Sequence, residues 1–523
     1  MTLTTDRPTT RDGQSMRNAL MRLDLPCYVV RGQGRVGLTT ERPADDSAVI
    51  AVAAPLTADR LGSAAFRKAH GVRYAYMCGA MAGGIASPDL VIAIARAGSL
   101  GTYGAAGVLP TNIEKALQRF RDEIPDLPYA ANLIHSPSED ALERDAVELY
   151  LKYGVRCVEA SAFMALTPHV VRYRVAGLCR DQQGRPVARN RLVAKVSRSE
   201  VATHFLRPAP ASVVADLVAH GLATPEQAEL AEQVPMADDI TVEADSGGHT
   251  DRRPMGALLP TILGLRDAEQ ARHRWPIRVG AAGGLGTPAS LAAVYAMGAD
   301  YAVTGSVNQS CVESGTSDAA RRLLAEADVA DCEMAPAADM FELGVDLQVL
   351  RKGTLFPMRA KKLYELYRTY EGVEALPVSE RLRLEQQIFR RPLDEVWADV
   401  VAYFTRRDPA QLERAAADPR RRMALIFRWY LGMASRWAVT GEPDRTQDYQ
   451  IWCGPAMGAF NDWVRGTYLE DPARRAAADV ATHLMRGAAY TSRVWQLKLA
   501  GVRLPASCTT YRPTPLSTEP GES

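Results

Sequence analysis

The chain has 523 residues, 47% of them hydrophobic, which is ample for a large buried core and more than one ordinary domain requires. Its 62 basic and 61 acidic residues leave a net charge of +1, so no global field draws it to nucleic acid or an anionic membrane, and any charged partner must be met locally. There is no run of about 18 apolar residues, and the start, MTLTTDRPTTRDGQ, lacks the charged-then-apolar order of a signal peptide; a soluble, cytoplasmic protein is expected. The eight cysteines (27, 78, 157, 179, 311, 332, 453 and 508) form no CxxC pair and no cluster with histidines at metal-ligand spacing, so reduced, mostly buried thiols and no metal are expected.

Residues 1–16 and 505–523 are rich in Thr, Ser, Pro and charge and are expected as disordered tails. Between about 70 and 310, short apolar runs alternate with amphipathic stretches, the pattern of helices returning a chain to a parallel sheet. A barrel or a doubly wound α/β sheet follows. Eight strands are predicted: Tyr74–Gly79, Ser99–Tyr103, Tyr129–Leu133, Val155–Ala160, Arg191–Val196, Ile240–Ala244, Ile277–Ala281 and Tyr301–Thr304. Helix starts are marked by Ser87 with Pro88, by Ser138 before Glu139 and Asp140, and by Thr287 with Pro288. The spacing breaks once, at about 205–238, where two helical stretches around Ala209-Pro210 and Thr224-Pro225 read as an insertion beside the barrel mouth. Beyond about 318 strands are expected to stop, and 319–504 to form a helical C-terminal domain after a barrel domain of 17–318. There Leu363, Leu366 and Tyr367 fall at helical spacing, and Trp429, Tyr430 and Trp437 read as core against the barrel rather than as a cofactor box.

Two glycine-rich turns invite a phosphate. Val279–Gly286 follows the seventh strand and precedes a helix opening at Thr287, and Thr304-Gly305-Ser306 ends the eighth. Glycine turns occur in any α/β protein, but loops after strands seven and eight of a (β/α)8 barrel commonly build a phosphate site. The first turn lacks the early βαβ context of a dinucleotide fingerprint, which favours a mononucleotide such as FMN. The sixth strand runs into Glu243-Ala-Asp-Ser-Gly-Gly-His249-Thr-Asp251, polar groups where barrels place catalytic residues. His249 can donate, accept or carry a proton near neutral pH, and Gly247-Gly248 would let a flat ring pass close to the backbone. Asp245 and Asp251 orient it or cap turns. Asn132 and Lys195 end the third and fifth strands, where an amide could reach a flavin edge and an ammonium could neutralise a reduced flavin or a phosphate; Cys78 reads as a buried thiol.

On these residues the chain resembles the superfamily of FMN-dependent enoyl-acyl-carrier-protein reductases and nitronate monooxygenases, and within it the PfaD type, the trans-acting enoyl reductase of polyunsaturated fatty acid and polyketide synthases. The resemblance is carried by Gly79-Ala-Met-Ala-Gly-Gly-Ile-Ala86, Glu243–Asp251, Gly280–Gly286, Thr304-Gly-Ser-Val-Asn-Gln309, Glu313–Asp318 and Lys352–Ala360, and covers most of the chain. It implies a (β/α)8 barrel in which Ala80, Met81, Ala82, Gly83, Asn132, Lys195, Gly248, Gly283, Gly284, Gly305 and Ser306 line FMN and His249 is the catalytic histidine. Nitronate monooxygenases usually read glutamate-alanine before the glycine pair, whereas Asp245-Ser246 stands here.

The resemblance further implies NADPH or NADH as hydride donor and a 2-enoyl thioester, held on an acyl carrier protein, as substrate. His249 would then donate to the thioester oxygen. The alternatives are nitronate monooxygenase chemistry, with His249 as base, and a non-catalytic scaffold docking synthase partners. No nucleic acid or membrane partner is expected, and a homodimer is compatible with the sequence. Arg351, Lys352, Arg359, Lys361 and Lys362 concentrate positive charge that reads either as a carrier-protein docking patch or as a solvated helix face.

Overall fold

A computed structural model of the chain describes residues 12–32, 35–135, 140–273 and 275–516. Of the tails expected at 1–16 and 505–523, residues 1–11 and 517–523 lie outside the described residues, as does the helix start at Ser138 and Glu139. The chain divides into two compact units: one holds residues as far as Ala244, Arg253–Ser314 and the chain from Trp463, the other Asp245–Arg252 and Gly315–Asp462.

The first unit is built on a closed parallel barrel whose strands fall at the eight predicted places: β4 (Tyr76–Cys78), β5 (Leu100–Tyr103), β6 (Tyr129–Ile134), β7 (Cys157–Ser161), β10 (Arg191–Val196), β11 (Asp239–Glu243), β13 (Arg278–Ala282) and β14 (Tyr301–Thr304). They close in the order β10-β11-β13-β14-β4-β5-β6-β7. Strand alternation explains the interior. Leu100, Ala130, Cys157 and Val193 join Phe66, Met77 and Tyr301 in one apolar cluster. The residue two further along each of those strands shares its face one layer nearer the C-terminal end, so Thr102, Asn132, Glu159 and Lys195 form a polar layer on an apolar floor.

Three additions were not predicted from the sequence: an antiparallel sheet of β1 (Cys27–Gly32), β2 (Arg35–Thr39) and β3 (Val49–Ala53), and a hairpin of β8 (Leu178–Arg180) with β9 (Pro186–Ala188) in the first unit, and a small sheet in the second. The helical insertion is present as Ala211–Ala219 and Pro225–Ala231, the latter opened by a Thr224/Gln227 capping box. Helix Ala477–Leu499 lies against Pro288–Ala296; a Cβ at Gly487 would stand 2.5 Å from Pro288 Cγ, so glycine permits the approach. Residues 505–516, expected as part of a tail, instead pack on this unit: Cys508 and Tyr511 are buried, and Trp463 Nε1 donates to the Tyr511 carbonyl. Two apolar anchors outweigh a polar average. At the other end Asp12 caps helix Gly13–Met21.

In the second unit the helices expected after 318 are present, among them Phe356–Thr369, Leu393–Arg407 and Pro419–Thr440. The expectation that strands stop there is corrected: β15 (Cys332–Pro336) and β16 (Asp346–Leu350) pair antiparallel, and β16 also takes β12 (Gly248–His249), giving the order β12-β16-β15. Their short runs, CEMAP and DLQVL, sit among helical stretches that dominate any window. Tyr430 and Trp437 are buried and pack ring to ring with each other, and Trp429 with Trp437, as core. No helix is long and apolar enough to cross a membrane among the described residues.

Candidate active site

Parallel strands present all their C-terminal ends at one mouth, so the barrel assembles Asn132, Lys195 and the loops carrying Ala80–Gly83, Gly283–Gly284 and Gly305–Ser306. The loop after β4 is stapled to the loop after β5: Gly83 N–H donates to Ala106 O at 2.7 Å, and Gly84 N–H to Gly104 O at 3.0 Å. A Cβ on Gly104 would fall 1.8 Å from Met81 O, so only glycine lets the two loops nest.

After β13, Gly283 and Gly284 both have positive φ, 88° and 70°. Gly283 lies against the Ala244 backbone, whereas a Cβ on Gly284 or on Gly305 would meet nothing within 4 Å. The Gly286 and Thr287 amides donate to Ser290 Oγ, closing the helix cap. Among the described residues nothing accepts from the amides of Gly284, Leu285 and Gly305. Backbone amides that no protein group accepts from can bind an anion.

The polar layer is charged. Lys195 Nζ lies 3.3 Å from Glu243 Oε1 and 3.8 Å from Glu159 Oε1. Burial alone would lower the lysine's pKa, but Glu243 and Glu159 push it above the usual range; burial raises Glu159 against the pull of Lys195. Asn132 Nδ2 donates to Glu159 O at 3.0 Å and to Ser161 Oγ at 3.1 Å. Ala162, the next residue, has φ 62° without being glycine, a strained backbone at the strand's end. Cys78 is buried, and burial raises its thiol pKa, so it stays protonated.

His249 and Gly248 sit apart from these in the chain's division, on β12 of the second unit. The His249 side chain is 39% exposed, and Nε2 lies 3.1 Å from Asp339 Oδ1. Burial would raise the Asp339 pKa, but the hydrogen bond and charge of His249 hold it below the usual value. Asp339, ninety residues away, is thus the orienting carboxylate. Asp245 instead accepts from Gln348 Nε2 at 2.9 Å. Gly247 serves the backbone: a Cβ there would stand 2.8 Å from Cys453 N. Sequence reading also missed Glu159 and Ser161; the signal was a Glu and a Ser at strand alternation near the C-terminal end of Val155–Ala160. The basic patch is largely paired: Lys352 with Asp331, Lys361 with Glu333, Lys362 with Glu365 and Glu380, and Arg359 with buried Asp448.

Comparison with known proteins agrees with this architecture. Residues 66–363 match the nitronate monooxygenase family, 6–55 the N-terminal domain of fatty acid synthase subunit PfaD, and 370–449 the inserted helical domain of acyl-carrier-protein S-malonyltransferase. The chain is 47% identical over 496 residues to a polyunsaturated fatty acid synthase polypeptide of Thraustochytrium sp., covering 93% of this chain and 33% of that protein. It is 43% identical over 437 residues to polyketide biosynthesis protein PksE of Bacillus subtilis, covering 83% and 57%. The chain therefore spans from about a third to under two thirds of these relatives' lengths. The crystal structure of the enoyl reductase domain of MlnA, from the macrolactin biosynthesis cluster of Bacillus amyloliquefaciens, superposes with a TM-score of 0.81 at 37% identity, covering 84% of this chain and 100% of that domain. The chain belongs to the nitronate monooxygenase family of oxidoreductases, in the group of PfaD and the enoyl reductase domains of polyunsaturated fatty acid and polyketide synthases.

Proposed function

We propose that this chain is an FMN-dependent enoyl reductase acting in trans on 2-enoyl thioesters borne by an acyl carrier protein, with NAD(P)H as hydride donor. The observation that carries the reading is the cradle after β13 and β14: the Gly284, Leu285 and Gly305 amides beside space that a Cβ would enter, at the position where barrels hold a phosphate. Bound there, FMN would supply the hydride chemistry. Ala80–Gly83 and Gly283 would wall the ring and Gly305–Ser306 the phosphate. The Asn132 amide is fixed by Glu159 O and Ser161 Oγ, which leaves its oxygen to accept from a ring N–H. Lys195, held charged by two carboxylates, would offset negative charge at the ring edge.

Reduction of an enoyl thioester builds negative charge on the thioester oxygen, which calls for a donor. His249, oriented by Asp339, would serve as that hydrogen-bond donor or acid. The visible spectrum tests the proposal: purified protein should show two flavin bands that bleach with NADPH or NADH and return when a 2-enoyl thioester is added. A colourless protein that takes up no FMN overturns it. Return of colour with a nitroalkane and not with the enoyl thioester would move the chemistry to nitronate oxidation.

A further inference from the structure

Glu159 is a carboxylate where a stable barrel needs none. Its side chain is buried at the boundary between apolar floor and polar layer. Oε2 accepts from the Ala80 N–H at 3.2 Å, tying β7 to the loop after β4 on the far side of the mouth. Oε1 is met by no close hydrogen bond among the described residues and faces Lys195 Nζ at 3.8 Å; the buried Thr102 hydroxyl, two strands away, also turns toward this carboxylate and helps to hold its pKa down. Register sets the three charges in steps: Glu159 lies level with Val193, Lys195 two residues higher and level with Thr241, and Glu243 two higher again. A half-satisfied buried carboxylate is costly, and such groups cluster where their charge is used.

We propose that Glu159 is a positioning residue that, together with Glu243, holds Lys195 as a directed ammonium, and whose own negative charge beneath the mouth sets how readily a bound flavin accepts electrons. This rests on the reading of the barrel mouth as a flavin site. With both carboxylates ionised, the triad carries a net charge of one negative. Neutralising Glu159 removes a repulsion toward the reduced, more negative flavin, so reduction becomes easier; neutralising Lys195 does the opposite.

The test is the midpoint potential of bound FMN in wild-type, Glu159→Gln, Glu159→Asp and Lys195→Met proteins, each also titrated for FMN binding. Glu159→Gln should keep stoichiometric FMN and favour the reduced form about tenfold, a rise of about 30 mV for a two-electron couple. Glu159→Asp should return toward wild type, and Lys195→Met should fall below it. A yellow Glu159→Gln protein with wild-type potential overturns the proposal alone. Should Glu159→Gln not fold, an unchanged potential in Lys195→Met overturns it in its place. A wild-type protein that takes no FMN removes the flavin reading and this proposal together.

Discussion

The two ends of the barrel treat buried charge in opposite ways. At the N-terminal end Asp239 opens β11 directly opposite Arg278 on β13. It accepts from Arg278 Nε at 2.6 Å and from Arg278 Nη2 at 2.9 Å, and its second oxygen faces His70 Nε2 at 2.8 Å. Both carboxylate oxygens are satisfied. At the C-terminal end one Glu159 oxygen lacks a close hydrogen bond among the described residues and is met only by the Thr102 hydroxyl and the more distant ammonium of Lys195, which itself lies 3.8 Å from Glu159 and 3.3 Å from Glu243. Bonds that close on themselves hold a fold, whereas groups left short of partners are available to something else.

The largest effect should come from breaking the closed end. Asp239→Asn leaves Arg278 buried without its counter-ion and should destabilise the protein by about 3–5 kcal/mol, read from urea unfolding; a loss below 1 kcal/mol would make the cluster dispensable. Burial alone would raise the Asp239 pKa, but His70 and Arg278 bring it down to about 2 from an ordinary 3.8. Because the folded value is depressed, this stabilisation is fully present above about pH 4 and is lost as pH falls toward 2, on the order of 2 kcal/mol. Wild type should therefore lose stability through that window, while Asp239→Asn should lose less.

Next are three variants at the proposed site. His249→Ala should leave fold and bound FMN intact and lower turnover of an enoyl thioester about a hundredfold or more; unchanged turnover would remove His249 from the mechanism. Leucine at Gly284 or Gly305 fills space that nothing in the chain occupies, so folding should persist while FMN affinity falls more than about tenfold. Gly284 adds backbone strain at φ 70°, so Gly305→Leu is the cleaner comparison. Both variants retaining stoichiometric yellow cofactor would move the phosphate elsewhere.

The barrel was legible because its strands are apolar runs of a few residues punctuated by Ser-Pro and Thr-Pro helix starts, and because one end of a parallel barrel gathers every loop that follows a strand. What was not legible depended on distance along the chain. Nothing near His249 marks Asp339 as its partner, and Asp245, close in sequence, is taken by Gln348. Glu159 reads as a polar letter among Cys157, Val158 and Ala160 until the register places it beneath Lys195. The β12-β16-β15 sheet escaped because two of its strands are five residues long and the third only two, split from them by the rest of the barrel sequence.

The smallest effect is expected at the basic patch, where the contrast between closed and open charge can be applied to a surface. Four of its five cations already face carboxylates of their own unit, and Arg359 is an anchor rather than a surface charge: it bonds buried Asp448, which also accepts from Tyr430 Oη and Arg445. Reversing Arg359 would set two negative charges together in the core and report on folding alone. Lys361 and Lys362 are the informative pair, being partly exposed with ordinary surface partners, each contributing about 1 kcal/mol or less. If a satisfied surface pair exerts little field on a partner, Lys361→Glu with Lys362→Glu should change kcat/KM for carrier-linked and small free enoyl thioesters by the same factor, about twofold or less, at low and high salt. A loss confined to the carrier-linked substrate, shrinking as salt rises, would show that these lysines steer a carrier protein despite their intramolecular partners.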